Sequence, residues 1–485
     1  MSLSPCFLCQ PPTSRVSFIH ERHPLLREVL MHVEDYTTGN IKKQILTMAI
    51  PVSIGMFFNT MFNVVDTFYA GKLGTESLAG MSLSFSIFFM LLAITAGIST
   101  GLSALLSIAS GKKNEDEVKA LTANGIFLTI FVSLVITIAG IVFSPLLLSA
   151  LGATGETLNH GTRYLRGIYA GSIFFGLNSA LNALLASRGI TKPFRNFLII
   201  GFVMNLILDP LFIFGPFGMP KMGTFGVALA TVIVNLTGNF YLAYKCHKLL
   251  GIRFQTLMPS IKEPFKLVHY KTIRNILSQG IPAALNMITI AVGIYVINFF
   301  IYIHGDDAAI AGYGVAMRNE QIALLPSIGL NTAALTIAGQ NFGAGHFDRI
   351  RETYKESLKI GILIMTTGML VIFPFADQLI KLFNSDPNVI FEGTRYLRIE
   401  FLAFNAYIIL NIALSILQAI KKPQYAIWIG ISRQLVLPVT LFPLLGTLIG
   451  LGLIGIWWGI VITTWLGAVA AMIIMYHYTK QMHLT

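Results

Sequence analysis

Charged residues are scarce in this sequence. Asp, Glu, Lys and Arg make up 12% of its 485 residues, whereas hydrophobic residues make up 54%. Soluble domains carry about 25% charged residues, and a water-soluble core could not enclose this much apolar surface. The composition therefore predicts a protein embedded in a lipid bilayer. The net charge of +12 does not indicate a nucleic-acid partner, because the basic residues lie in short gaps between apolar runs.

Cysteine is also scarce, with three in the chain, and no disulfide framework is implied. Cys246 stands alone, and the other two lie in a CFLC stretch near the start. The spacing between CFLC and the following HERH fits a zinc finger badly. We therefore expect residues 1–39 to be a disordered cytoplasmic extension without a metal site. The sequence leaves open whether Met1 or Met31 is the true start.

Long apolar runs are abundant instead. Twelve of them reach about 20 residues, the length needed to cross a bilayer as a helix. The loops that fall on one side, if both termini share that side, hold most of the lysines and arginines. This bias places both termini in the cytoplasm. The sequence thus predicts an all-α polytopic protein of the cytoplasmic (inner) membrane with twelve transmembrane helices.

One hexapeptide, GTRYLR, occurs twice, at residues 161–166 and 393–398. After each copy an apolar run closes with a basic turn and a proline, and MNLILDP then parallels RQLVLPV. Before the copies, SLAG parallels AIAG. The chain is therefore predicted to contain two pseudo-twofold-related six-helix lobes around a central cavity. We place the N-lobe at residues 40–248, a cytoplasmic linker at 249–274 and the C-lobe at 275–485.

This duplication favours a secondary transporter. Six spans per copy put both copies in the membrane with the same orientation, so their pseudo-twofold axis runs along the membrane normal. Rocking one bundle against the other opens the cleft between them to alternate sides. The sequence has no GxxxxGK[ST] phosphate loop and no HExxH motif, so neither direct use of ATP nor enzymatic catalysis is indicated.

Two acids lie within predicted spans of the first half, where an ionisable side chain is costly and usually functional. Asp66 is late in the first span and Asp209 is in the fifth. Two carboxylates that meet in low dielectric require either a proton or a bound cation such as Na⁺. Further oxygen donors for such an ion are predicted at Tyr164, Asn182, Asn205 and Thr231.

The second half of the chain lacks this pattern, because Asp209 aligns with Pro438. Its predicted buried charges are Arg318, Glu320 and Arg433. Arg318 and Glu320 are two residues apart and do not face each other on a helix. We expect Arg433 to pair with Glu320 across spans, in a structural or gating role.

The chain resembles the multidrug and toxic compound extrusion (MATE) transporters. The resemblance covers residues from about 40 to 480 and is carried by VVDTFYAGKLGTESLAG, NALLASRGITKP, NLILDP and RNEQIALLPSIGLNTAALTIAGQNFGAG. It implies exchange of Na⁺ or H⁺ for bulky, often cationic organic compounds, with no other cofactor. In the DinF-like branch, the resemblance implies a first-lobe cation site at Asp66, Tyr164, Asn182, Asn205, Asp209 and Thr231. The acid on the seventh span of NorM-like members is missing, since ALNMITIAVGIYVINFF contains none.

An apolar, aromatic cavity would suit lipophilic cations. Candidate lining residues, chosen by span position, are Phe58, Phe174, Phe175 and Met287. The expected partners are small-molecule drugs or metabolites and the bilayer, and we expect a monomer. The alternative function is a lipid-linked saccharide flippase of the related two-lobe superfamily, and a membrane enzyme acting on lipids is a more distant alternative.

Overall fold

The computed structural model describes residues 35–252 and 269–481. In those residues ten single helices and two bent helix pairs are long and apolar enough to cross a bilayer. The helices are α1 (Ile41–Lys72), α2 (Thr75–Gly111), α3 (Glu115–Ala150), α4 (Gly155–Ala170 with Ser172–Ser187), α5 (Lys192–Phe214), α6 (Thr224–Leu250), α7 (Tyr270–His304), α8 (Asp307–Ala323 with Leu325–Ala344), α9 (Phe347–Lys381), α10 (Pro387–Ala419), α11 (Gln424–Leu448) and α12 (Leu453–Gln481). The predicted all-α multi-pass membrane fold is confirmed.

Interruptions in three spans follow from local sequence. The α4 pair bends by 47° around Gly171, and the α8 pair bends by 43° just before Pro326, which occupies the first turn of its second helix. In α11, π-helical turns form at Ser432–Val436 and Leu444–Leu448. Pro438 follows the first of these turns, and its missing N–H leaves a carbonyl of the preceding turn without its usual donor. These are points where a spanning helix can change direction.

The repeated hexapeptide provides the same helix crossing in each lobe. A Cβ on Gly80 of SLAG would lie 2.8 Å from the backbone N of Gly161, the first residue of the first hexapeptide. A Cβ on Gly312 of AIAG would likewise lie 2.7 Å from the backbone N of Gly393 in the second. The backbones touch at both crossings, so only glycine fits. This is the structural reason why the two short motifs recur together.

The lobes contact each other at the face that carries the described chain ends, which we call the terminal face. Where α2 meets α7, a Cβ on Gly101 would lie 2.6 Å from the backbone N of Gly280. The first turns of α1 pack into the core of the C-lobe through Ile41 and Ile45. Hydrogen bonds between the lobes in the described residues lie at this face and not in the opposite halves. The lobes are therefore joined at the terminal face, and we expect a cavity between them to open toward the opposite face.

Two predicted boundaries differ from the structure. The sequence predicts a disordered extension through residue 39, but Tyr36 is fully buried and hydrogen-bonded, so this part of the prediction is wrong. The linker assigned to 249–274 is shorter at both ends, because α6 continues to Leu250 and α7 begins at Tyr270. The rest of the extension, with its CFLC stretch, and residues 253–268 lie outside the described residues.

Candidate functional site

Asp66 of α1 and Asp209 of α5 lie together inside the N-lobe. Asn205, one turn before Asp209, donates a hydrogen bond from Nδ2 to Asp66 Oδ1 over 2.9 Å. Thr231 of α6 approaches Asp66 Oδ2 with its hydroxyl at 3.5 Å. The two carboxyl groups are close enough to share a proton in a hydrogen bond. Three helices that are distant in sequence thus bring two acids, an amide and a hydroxyl to one point.

Burial leaves this group of oxygens without enough donors. Asn205 and Asp209 are fully buried and Asp66 is 7% exposed. Both oxygens of Asp209 and the amide oxygen of Asn205 accept no hydrogen bond. No lysine or arginine forms an ion pair with either acid among the described residues. Buried acceptors of this kind are rare in native structures and require a partner. The donor set, made only of oxygen, suits a proton or a hard cation such as Na⁺.

The remaining predicted oxygen donors differ in how they are related to the acid pair. Tyr164 of α4 is 7% exposed and lies within electrostatic range of both carboxylates. Asn182 is half-buried and makes no hydrogen bond to them in the part of the chain described. Asn178, one turn earlier, instead donates to Asn235 Oδ1 over 3.0 Å, and Asn235 donates to the carbonyl of Thr231 over 2.9 Å. The amide of α4 that is linked by hydrogen bonds to Thr231 is therefore Asn178, which the sequence pattern did not single out.

The C-lobe holds a second group of buried acids. Tyr396 donates to Glu320 Oε2 and Tyr407 donates to Glu400 Oε1, each over 3.0 Å. The Arg433 guanidinium lies 5.4 Å from the ring centre of Tyr407 and acts electrostatically on both carboxylates. One oxygen of Glu400 accepts no hydrogen bond. In contrast to the N-lobe pair, this group has its own positive charge.

Two predictions about the C-lobe are wrong. Arg433 forms no ion pair with Glu320 in the described residues, and the groups that donate to the two acids are the hydroxyls of Tyr396 and Tyr407. Arg318, predicted to be buried, is exposed. Residues two apart point to nearly opposite sides of a helix, so burying Glu320 turns Arg318 outward.

Glu400 and Tyr396 were not predicted as site residues, although a signal for them exists. Tyr396 occupies the same place in the second hexapeptide that Tyr164 occupies in the first. Both tyrosines lie against buried carboxylates, at Glu320 in one lobe and near Asp66 in the other. Glu400 follows the second hexapeptide closely. Comparing the two copies by structural position, rather than by acidic residues alone, would have found this group.

The four candidate cavity residues occupy semi-buried positions. Phe58 and Phe175 pack against other phenylalanines of the N-lobe, with ring centroids 5.6 Å from their partners. Phe174 and Met287 are half-buried. Their role in lining the cavity stays a prediction.

These features define a multi-pass membrane protein with two like lobes and buried acids within each. A family model, MatE, matches the chain twice, at residues 51–211 and 282–444, once in each lobe. The chain belongs to the MatE family. Membership indicates transport rather than catalysis, and the double match agrees with the duplication inferred from the hexapeptide.

Similar proteins support this assignment. The chain is 28% identical to a probable multidrug resistance protein, YoeA of Bacillus subtilis, over 72% of this chain and 75% of that protein. It is 27% identical to the multidrug export protein MepA of Staphylococcus haemolyticus, over 93% and 96% of the two chains. A MOP superfamily transporter from Pyrococcus furiosus has the same fold, with a TM-score of 0.85 at 23% identity, over 93% of this chain and 98% of that one.

Proposed function

We propose that this protein is a secondary active multidrug efflux antiporter of the cytoplasmic membrane. It exports lipophilic, often cationic organic compounds in exchange for Na⁺ or H⁺, with both termini in the cytoplasm. One observation carries the proposal. Both oxygens of Asp209 and the neighbouring amide oxygen of Asn205 have no hydrogen-bond donor, and a transported cation would satisfy them.

The acid pair joins helices that must move relative to each other. Asp66 lies on α1, whose first turns pack into the C-lobe, whereas Asp209 lies on α5 within the N-lobe. A cation bound between them favours the arrangement in which α1 and α5 hold both carboxylates together. Release of the cation leaves two like charges to repel each other and favours a different position of α1. Coupling to drug follows if drug and cation each favour a different arrangement.

The contacts between the lobes at the terminal face fit the step in which drug has left. With the terminal face assigned to the cytoplasm, a cavity between the lobes would open outward. Cation then enters from outside and stabilises the arrangement of the acid pair described above. The exposed Arg318 of α8 would face the aqueous cleft, because an arginine facing lipid is costly, and there it would tune how cationic drugs are accepted.

The test is drug export in a host that lacks its own efflux pumps. Asp66→Asn and Asp209→Asn keep the size and polarity of each side chain but remove the charge. We expect each to lower export at least tenfold. The matched control is Asp307→Asn, the same change at the exposed first residue of α8, which should export like the wild type. Export by both acid variants at the wild-type rate would refute the coupling role.

Inside-out vesicles identify the ion. Drug uptake driven separately by a Na⁺ gradient and by a pH gradient shows which cation is exchanged. A lipid-linked saccharide flippase, the alternative, would move its lipid substrate in such vesicles without dependence on either gradient and would not accumulate drug.

A further inference from the structure

The six residues that precede α1, Asp35–Asn40, run between the two lobes at the terminal face, and we call them the clasp segment. Tyr36 is fully buried there. Its backbone N–H donates to Gln340 Oε1 of α8 over 3.2 Å, and its hydroxyl donates to the carbonyl of Gly189, after α4, over 3.4 Å. One residue of the clasp segment therefore bonds to the C-lobe through its backbone and to the N-lobe through its side chain.

Arg349, near the start of α9, binds the clasp segment with a fork of hydrogen bonds. Its guanidinium donates to the carbonyls of Tyr36, Thr38 and Gly39 over 3.1–3.3 Å. Its Nε donates to Asn341 Oδ1 over 3.0 Å, and Asn341 Nδ2 donates to the Tyr36 carbonyl over 3.1 Å. An arginine can hold several acceptors at once because its five donors are fixed in one plane.

The GQNFGAG motif that closes α8 supplies the rest of this contact. Gln340 Nε2 donates directly across the lobes to the carbonyl of Ser187 over 2.8 Å. The glycines bring the backbones together, since a Cβ on Gly343 would overlap the carbonyl of Ile108 of α2. The motif thus places an amide pair against the N-lobe. These two amides take no part in the acid pair or in the predicted cavity.

The clasp segment is also anchored to the N-lobe by charge. Asp35 forms an ion pair with Lys113, just after α2, over 3.3 Å. Hydrogen bonds from the hydroxyl and the backbone N–H of Thr37 hold the pKa of Asp35 below its usual value. Because the pKa of Asp35 is lowered in the folded protein, the stability contributed by its carboxylate is lost only as the pH falls through that folded-state pKa. The ion pair with Lys113 is therefore present at neutral and mildly acidic pH.

We propose that the clasp segment, Arg349, Gln340 and Asn341 form a terminal-face gate that holds the cavity closed on that side. The bonds join parts of the chain that must separate when the cavity opens to the terminal face. They exist only in the closed arrangement, so they favour it by their full net strength. Arg349 is the gate's main positioning residue, because it binds three carbonyls of the segment. The inference rests on the proposed alternating function but concerns a site far from the acid pair.

The test measures distances across both faces in the full chain in nanodiscs. Spin labels are placed on a background with Cys6→Ala, Cys9→Ala and Cys246→Ala. One pair, Lys192→Cys with Gln424→Cys, reports on the terminal face, and the other, Thr154→Cys with Ser385→Cys, reports on the opposite face. All four positions are exposed.

Arg349→Gln should raise the ratio of terminal-face-open to closed molecules at least tenfold, because several hydrogen bonds to a charged donor are lost. The Thr154–Ser385 distance should shorten in parallel. Arg349→Lys should shift the ratio nearly as far, since an ammonium keeps the charge but not the fork. Lys355→Gln, which removes a positive charge from an exposed position farther along α9, is the control and should leave both distances unchanged.

Wild-type distances in Arg349→Gln would overturn the gate, and so would an equal shift in Lys355→Gln. Wild-type distances in Arg349→Lys would overturn the role of the fork. If the arginine variants do not fold, Gln340→Ala gives the same test, because it removes the bonds to Ser187 and to Tyr36. The measurement needs neither drug nor ion gradient. A gate that opens in a protein that exports nothing would count against the proposed function alone.

Discussion

Cation binding at the acid pair should raise the stability of the folded protein. Na⁺ would fill a site where Asp209 has no hydrogen-bond donor and Asp66 has a nearby like charge. A ligand that binds only the folded state stabilises it in proportion to the logarithm of its concentration over Kd. For a Kd on the order of 1 mM, 100 mM Na⁺ contributes about 2.7 kcal/mol. A lobe of about 200 residues gains roughly 2–4 °C in Tm per kcal/mol, so the expected rise is about 5–10 °C.

The assay is thermal unfolding of purified protein, followed by tryptophan fluorescence, with choline replacing Na⁺ at constant ionic strength. Asp209→Asn should lose most of the Na⁺-dependent rise, because the amide removes one of the two charges that hold the ion. In the absence of Na⁺ the same variant should be more stable than the wild type, since the repulsion between the acids is gone. Asp307→Asn should behave like the wild type in both conditions.

Two outcomes would refute this reasoning. A full Na⁺-dependent rise in Asp209→Asn would mean that the ion binds elsewhere. A wild type whose Tm responds neither to Na⁺ nor to protons would mean that the acid pair holds no exchangeable cation. If only protons act, the site is a proton site, and Na⁺ should then bind too weakly to compete.

Two further predictions concern the C-lobe. Gly312→Ala should destabilise the protein by about 1–3 kcal/mol, because the added Cβ overlaps the backbone of Gly393. Gly314→Ala on the same helix, where nothing lies within 4 Å of the added atom, should be neutral or slightly stabilising, and equal Tm values for the two variants would contradict the crossing described here. Tyr396→Phe should cost about 1–3 kcal/mol, because buried Glu320 loses its donor, whereas Tyr295→Phe, at an exposed tyrosine, should not change the Tm measured in the same detergent. A stable Tyr396→Phe would show that Glu320 finds another partner.

Features that depend on periodicity and composition could be predicted from the sequence. The spans follow from apolar runs of sufficient length, and the duplication follows from GTRYLR and its neighbouring motifs. The proximity of Asp66 to Asp209 was also expected, because an acid in a span needs a partner. The structure brings the two together, while their role as an ion site stays a prediction.

Features that depend on contacts between distant residues could not be predicted from the sequence. Tyr36 lies in a short polar stretch that reads as a continuation of the extension, and its burial depends on Gln340 and Arg349, about three hundred residues away along the chain. Arg318 is exposed because the opposite side of α8 faces the core. On that side, Glu320 accepts a hydrogen bond from Tyr396 of another span. A pattern along one helix does not contain this information.

The two lobes share one scaffold but balance their buried charge differently. In each lobe, the tyrosine of the hexapeptide lies against buried carboxylates. The duplication therefore preserved the position of this tyrosine next to the acids. In the C-lobe, Arg433 supplies a permanent positive charge to Glu320 and Glu400. In the N-lobe, no basic residue pairs with Asp66 or Asp209 in the described chain, and three acceptor oxygens lack a donor. Only an ion from outside can complete the N-lobe group, so exchange with solvent should be confined to that lobe.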